Sequence, residues 1–188
     1  MALTESTMMM ALGAEAPDFA LTDVVTGKTV RRDDYRGKKG LLVVFICSHC
    51  PYVMHIQKEL ACFGRDYADR PIGFVAISSN DAENYPDDSP AGLKKQATAQ
   101  GFVFPYLYDE TQAVAHAYHA ACTPDFFLFD GNFKLAYRGE FDRSRPGNGV
   151  PVTGEDLRAA LDAVLAGKPP IADQRPSIGC NIKWKTKR

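Results

Sequence analysis

Two cysteines separated by two residues are the most informative chemical feature of this sequence. They lie in the run Cys47-Ser48-His49-Cys50, after an apolar stretch and before a segment with helical spacing. Unpaired backbone N–H groups and the positive end of the helix dipole meet at the start of a helix. They lower the pKa of a thiol placed there from its ordinary value of about 8.5. The spacing therefore predicts a redox-active dithiol.

The position of each cysteine predicts its role. Cys47 is expected at the mouth of the helix as the attacking nucleophile, with a pKa well below that of Cys50. Cys50 is expected one turn inside the helix, from where it would attack a mixed disulfide at Cys47 and release the product thiol. A charged His49 would favour the reduced, thiolate form and make the pair more oxidising.

Two other interpretations of the pair are open. The cysteines could be inert core residues, or they could hold an ion in a thiol-based metal carrier. Zinc requires four ligands, and the sequence has no second pair of this spacing. The remaining candidate ligands are scattered, namely His116, His119, Cys122 and Cys180. We expect no metal, and no cofactor other than a redox-active Cys47–Cys50 disulfide.

Length and composition indicate one globular domain. The chain has 188 residues, 45% of them hydrophobic, and a formal net charge of −1, which points to neither nucleic acid nor a membrane as a partner. Five cysteines are too few and too odd in number for a disulfide scaffold. The first residues lack the basic start of a signal peptide, so we expect a cytoplasmic protein. We divide the chain into a core of about residues 13–167 and a tail, 168–188; the sequence leaves the oligomeric state open.

Hydrophobic patterning predicts the elements that hold the dithiol. An apolar run at 41–46 is typical of a strand buried on both faces, and a helix is expected over 51–68. The other predicted elements are a hairpin at 16–30, a strand at 71–77, a loop at 80–90, helices at 91–100, 112–119 and 153–166, and strands at 105–108, 126–129 and 134–138. This order predicts an α/β fold with a mixed central sheet flanked by helices.

A second motif, Thr123-Pro124, immediately precedes a predicted strand. A proline is an ordinary residue at the entry to a strand. The combination of strand, CxxC and helix, followed some seventy residues later by Thr-Pro and a hairpin, resembles the thioredoxin superfamily. Within it, the opening run Gly13-Ala14-Glu15-Ala16-Pro17-Asp18-Phe19 and the segment 45–53 are similar to the redoxins of the alkyl hydroperoxide reductase/thiol-specific antioxidant group, in a peroxiredoxin-like branch with a CxxC motif.

This resemblance implies a thioredoxin-like fold with an N-terminal β-hairpin extension. It also implies that Pro124 is a cis-proline beside the dithiol and that the backbone of Thr123 pairs with an extended polypeptide substrate. The implied activity is that of a thiol–disulfide oxidoreductase. Its partners would be protein or small-molecule thiols and disulfides, together with a recycling reductant.

One departure from the family concerns peroxide. Peroxiredoxins carry a threonine three residues before the peroxidatic cysteine, whereas here Val44 precedes Cys47 and Cys47 precedes Cys50 at that spacing. A peroxiredoxin-like thiol peroxidase, an antioxidant enzyme, is therefore the alternative function rather than the first.

The other cysteines receive structural interpretations. Cys62 is expected in the core, and Cys122 is expected to be a packed thiol rather than a third redox thiol. The tail with Cys180 and Trp184 has two interpretations: a docked extension that brings Cys180 near the dithiol, or a surface tail with an unreactive cysteine. The surface tail is the favoured prediction, because termini are commonly mobile unless apolar residues anchor them.

Overall fold

Strands and helices follow one another in the predicted order, with additional strands at both ends of the chain. The computed structural model describes residues 3–186. In chain order the elements are β1 (Leu3–Glu5), β2 (Ala20–Asp23), β3 (Thr29–Arg31), a 3-10 helix (Arg32–Tyr35), β4 (Gly40–Phe45), α1 (Pro51–Asp66), β5 (Ile72–Ser78), a 3-10 helix (Pro86–Asp88), α2 (Pro90–Gln100), β6 (Tyr106–Tyr108), α3 (Ala113–Ala117), β7 (Cys122–Thr123), β8 (Asp125–Asp130), β9 (Leu135–Gly139), α4 (Glu155–Leu165) and β10 (Ile178–Asn181).

The main sheet has seven strands in the order β3-β2-β6-β5-β4-β8-β9. Strand β4 runs parallel to β5 and antiparallel to β8, so the predicted mixed sheet is confirmed. All six residues of β4 are buried, which explains why this segment is continuously apolar rather than alternating. The predicted N-terminal hairpin forms from β2 and β3, and β2 extends the sheet by pairing with β6.

Successive side chains of β4 enter two separate hydrophobic cores, because residues alternate between the faces of a strand. Leu42 and Val44 pack with the apolar faces of α1, α2 and α4. Val43 and Phe45 pack on the opposite face, where Tyr118 follows α3. The helices therefore flank the sheet on both sides. Among residues 3–186, no helix is long and apolar enough to cross a membrane.

A second sheet joins the two ends of the chain to the middle, in the order β1-β10-β7. The favoured prediction of a surface tail is therefore wrong. Cys180 and Ile182 are only 5% and 1% exposed, and β10 pairs antiparallel with β7. Trp184 stays partly exposed and stacks on His116 with ring centroids 4.2 Å apart. The tail is held in place by backbone pairing between β10 and β7, which its apolar residues alone did not predict.

Candidate active site

The predicted start of the first helix, residue 51, is confirmed, but it places Cys50 at the mouth of the helix rather than one turn inside it. Helix α1 starts at Pro51, and Cys50 is its N-cap, with extended φ and ψ of −73° and 124°. The Cys50 carbonyl accepts the first helical hydrogen bond, from the Met54 amide at 2.9 Å. Cys47 lies before the helix, in the connection from β4. Proline at the first helical position is the sequence signal for this boundary.

The two sulfurs lie together beneath the surface. Both cysteines are reduced and almost fully buried, and their side chains are in hydrogen-bonding contact. Thr123 touches both: its hydroxyl oxygen is 3.4 Å from Cys47 Sγ, and its carbonyl oxygen is 3.1 Å from Cys50 Sγ. The Thr123–Pro124 peptide bond is cis, as expected from the resemblance. The structure thus brings together the four residues expected to form the catalytic pair and the substrate edge.

The predicted order of acidity is reversed. The hydrogen bond from Cys47 lowers the pKa of Cys50 to about 5, against the effect of burial, and the thiol of Cys180 and backbone amides of Val53 and Cys180 act in the same direction. The pKa of Cys47 is raised by its hydrogen bond to Cys50, by burial and by the carboxylate of Asp88. The Cys50 thiol also donates to the Thr123 carbonyl at 3.1 Å, a contact that ends when Cys50 ionises. The negative charge of the pair therefore sits on Cys50, next to the start of the helix.

Asp88 holds the loop between the cysteines, and the sequence analysis did not identify it. Its carboxylate accepts hydrogen bonds from the backbone amide and the hydroxyl of Ser48, both at 2.8 Å, and from the Asn80 side chain at 2.6 Å. The ring nitrogen Nδ1 of His49 lies 2.7 Å from the Oδ2 atom of the same carboxylate. Although burial alone would raise it, the pKa of Asp88 is lowered by these partners, so the residue is a buried anion.

Asp88 favours the charged form of His49. Its carboxylate, next to the ring nitrogen, raises the imidazole pKa, against the effect of burial. The ring stacks on Tyr85 with centroids 5.4 Å apart and an angle of 7°. The predicted loop at 80–90 thus contributes Asn80, Tyr85 and Asp88 to the site. A clue was available, because this loop leaves the carboxyl end of β5, which lies parallel to the end of β4 that carries Cys47.

Cys180 is a second site residue that the sequence analysis did not place at the dithiol, because it favoured a surface tail. Its Cα pairs with Thr123, and its side chain contacts Cys50. Cys122 is a packed thiol, as expected: it is buried and its sulfur faces the Pro124 carbonyl at 3.6 Å. Cys62 is only half-buried on α1, so its assignment to the core is wrong; the Arg65 guanidinium donates to its sulfur at 3.2 Å.

One group of potential metal ligands is present among residues 3–186. Donor atoms of Cys47, His49 and Asp88 all lie within 4.8 Å of one another. Two of these three, His49 and Asp88, already neutralise each other as an ion pair. Zinc sites in proteins are almost always completed by a fourth ligand. None of the scattered candidates His116, His119, Cys122 and Cys180 belongs to this group.

Comparison with known proteins agrees with this geometry. The family model described as AhpC/TSA matches residues 12–138. A curated relative, the thiol-disulfide oxidoreductase ResA of Geobacillus kaustophilus, is 30% identical over 164 residues, which cover 86% of this chain and 82% of the relative.

Solved structures give the same fold. A crystal structure of an uncharacterized conserved protein from Geobacillus kaustophilus is 55% identical, has a TM-score of 0.96 and covers 100% of this chain and 99% of its own. A hypothetical protein from Sinorhizobium meliloti is 48% identical, with a TM-score of 0.95 and coverage of 98% and 100%. A thiol:disulfide interchange protein from Chlorobium tepidum, at 19% identity, has a TM-score of 0.63 over 82% of this chain and 98% of its own. The chain belongs to the AhpC/TSA family and has a thioredoxin-like fold.

Proposed function

We propose that this protein is a thiol–disulfide oxidoreductase whose working dithiol is Cys47 and Cys50, with Cys50 as the attacking sulfur. The observation that carries the proposal is the position of Cys50 at the start of α1, in contact with Cys47 and with its pKa lowered to about 5. A thiolate is the nucleophile in disulfide exchange, and Cys50 is the sulfur that bears the charge. The roles of the two cysteines are thus exchanged relative to the sequence prediction.

The exchange proceeds in two displacements. The Cys50 thiolate attacks one sulfur of a substrate disulfide, and the other sulfur leaves as a thiolate. Cys47 then loses its proton and attacks the Cys50 sulfur, which forms the Cys47–Cys50 disulfide and releases the second substrate thiol. A reductant returns the pair to the dithiol. The cation of His49, fixed by Asp88, favours the anionic states along this path.

The substrate side of the proposal rests on Thr123 and Pro124. The carbonyl and hydroxyl of Thr123 touch the two sulfurs, so a substrate disulfide at this edge would lie in line with Cys50. Small thiols and disulfides, or polypeptides that displace β10, are the expected partners. The named oxidoreductase relatives support this class of reaction. We place the protein in the cytoplasm, where a thiol reductant is available to recycle the pair.

The alternative of a thiol peroxidase has less support. The family's peroxide site needs a threonine three residues before the peroxidatic cysteine, and Cys47 occupies that place before Cys50. The hydroxyl of Thr123 contacts the sulfur of Cys47, and it makes no short contact with the sulfur of Cys50. The site therefore lacks, at the sulfur that carries the charge, the hydroxyl that a peroxide oxygen would require.

The test compares oxidants on one protein. The reduced full-length chain is mixed with glutathione disulfide, with insulin, whose disulfides are macromolecular, and with hydrogen peroxide, and the loss of free thiols is followed. We expect the disulfides to react faster than peroxide, Cys50→Ser to abolish the reaction, and Cys47→Ser combined with Cys180→Ser to stop it at a mixed disulfide. Cys62→Ser is the matched control. Faster oxidation by peroxide would favour the peroxidase, and stoichiometric metal that Cys47→Ser loses would favour a metal carrier.

A further inference from the structure

Strand β10 occupies the edge where a polypeptide substrate would pair. It lies antiparallel to β7, with Cys180 opposite Thr123 and Asn181 opposite Cys122. An extended segment that adds to an exposed strand edge is the usual geometry of peptide recognition by β-augmentation. Here the chain's own C-terminal segment has that place, directly beside the two sulfurs.

The segment is anchored on both sides of Cys180. Upstream, the Ser177 hydroxyl donates to the Pro124 carbonyl at 2.8 Å. Downstream, the Ile182 amide donates to the Ala121 carbonyl at 3.0 Å. The Lys183 amide donates to the Asn80 side chain at 2.8 Å, which links the segment to the network around Asp88. Cys180 is therefore held at a fixed position.

A glycine allows the close approach of this strand. A Cβ added to Gly179 would lie 1.9 Å from the Thr123 carbonyl oxygen, so no larger residue fits without moving the backbone. The next residue, Cys180, projects to the dithiol. It is 5% exposed, it packs in the same apolar cluster as Cys47 and Cys50, and its backbone pairs with Thr123, whose carbonyl oxygen is 3.1 Å from the Cys50 sulfur.

We propose that Cys180 is a third redox thiol, which exchanges with the dithiol by forming a Cys50–Cys180 disulfide. This inference rests on the proposed function, because the Cys47–Cys50 disulfide formed in that reaction is its starting state. Cys47, Cys50 and Cys180 pack in one apolar cluster, and the thiols of both others lower the pKa of Cys50, so Cys50 is the central sulfur of the three. The packed Cys122 faces backbone carbonyls and takes no part.

The step is an isomerisation and needs no further oxidant. In the oxidised protein the Cys180 thiol loses its proton and attacks the Cys50 sulfur of the Cys47–Cys50 disulfide. The Cys50–Cys180 bond forms, the Cys47–Cys50 bond breaks, and Cys47 leaves as a thiolate that takes up a proton. One disulfide and one thiol are present before and after. The product ties β10 to α1 across the substrate edge, so polypeptides are excluded until a small thiol reduces it.

The experiment maps disulfides in the full-length chain. Cys47→Ser is reduced, treated with limiting diamide, quenched in acid, alkylated, digested and analysed by mass spectrometry. We expect an intramolecular Cys50–Cys180 peptide as the main product. Adding Cys180→Ser should slow the loss of free Cys50 about tenfold, because an intramolecular partner is removed. Adding Cys122→Ser, the matched control, should change neither the product nor the rate.

Two outcomes would overturn the inference: a Cys50–Cys122 or intermolecular disulfide as the main product, or oxidation of Cys50 at an equal rate with and without Cys180. Thermal unfolding of the double variants confirms that each is folded. Failure of the proposed function is separate, because it would appear as no reaction of the wild-type chain with glutathione disulfide. A Cys50–Cys180 peptide in that case would still support the third thiol.

Discussion

Two groups of residues, here called walls, lie on either side of the dithiol. Each contains a buried carboxyl group, and the pKa values of the two carboxyl groups are shifted in opposite directions. On the wall formed by residues 80–88, Asp88 accepts hydrogen bonds from Ser48 and Asn80 and pairs with His49, and its pKa is lowered although it is buried. On the wall formed by β7, β8 and β10, Asp125 has one oxygen without a partner among the described residues. Burial raises the pKa of Asp125 to about 7, against the hydrogen bonds that reach it.

The difference shows that donors, rather than burial, decide the charge of a carboxyl group in this interior. One wall carries a fixed ion pair of Asp88 and His49, and the other is close to neutral and presents backbone groups. The hydrogen bond between the two sulfurs raises the pKa of Cys47 most, and the anion of the first wall acts in the same direction. The same hydrogen bond lowers the pKa of Cys50 most, and the amides of Val53 in α1 and of Cys180 on the second wall add to the effect.

The largest expected effect tests this assignment of the thiolate. At pH 6 a Cys50 sulfur with a pKa of about 5 is ionised, whereas Cys47 is protonated. We expect Cys50→Ser to lower the rate of alkylation of the remaining pair member by iodoacetamide by about a thousandfold at pH 6. Cys47→Ser should keep a fast, Cys50-dependent reaction. Equal losses in the two variants would contradict the comparison of the walls.

The next effect concerns the charged wall. Asp88→Asn removes the carboxylate that accepts hydrogen bonds from Ser48 and Asn80, and we expect a loss of about 3 kcal/mol in the free energy of unfolding at pH 7, because these donors lose their charged acceptor. The pKa of Asp88 is lower in the folded than in the unfolded protein. Its contribution to stability is therefore present above the pKa of the unfolded state and is lost as the pH falls through the pKa of the folded state. Denaturant unfolding of both proteins from pH 7 to pH 3 should therefore show the stabilities of the wild type and Asp88→Asn becoming equal as the pH falls. The exposed neighbour Asp87→Asn should have no comparable effect.

The neutral wall predicts the opposite sign. The folded pKa of Asp125, about 7, lies above its ordinary value of 3.8, so the folded state loses stability as the pH rises between these values. We expect Asp125→Asn to stabilise the protein by about 2 kcal/mol at pH 8, less than the full shift because an amide must fill the same contacts. The gain should disappear near pH 4. A stability difference that is flat with pH would show that Asp125 does not hold a proton in the fold.

Local patterns were sufficient for much of this architecture. The apolar run of β4, the CxxC at its end and the helix after it are adjacent in sequence, and each has a period or a motif of its own. The strands predicted at 126–129 and 134–138 likewise form the β8–β9 hairpin. The start of α1 at residue 51 was predicted, and Pro51 at the first helical position makes Cys50 the N-cap, although Cys50 was placed one turn inside the helix. That one boundary decides which sulfur is the nucleophile.

The rest of the site depends on contacts between distant segments. Strands β1, β7 and β10 have only two to four residues each, so none has a measurable alternation of its own. Their pairing brings residues near position 123 together with both ends of the chain. Asp88 is similar, because an acidic residue in a polar loop becomes a site residue only when that loop folds back over Ser48. A single sequence contains no signal for the strand pairings, and for Asp88 it offers only the position of the loop after β5, a strand parallel to β4.

The smallest expected effect tests how closely the second wall is packed. Gly179→Ala places a Cβ against the Thr123 carbonyl and should move β10 away from β7 without touching the sulfurs directly. We expect the alkylation rate of Cys50 at pH 6 to rise by about tenfold, because β10 then opens more often. Gly167→Ala, at a glycine of left-handed φ with open space around it, controls for a general loss of stability from backbone strain away from β10. Faster alkylation with an unchanged pH midpoint would separate access from acidity, and an unchanged rate would mean that β10 does not limit entry to the dithiol.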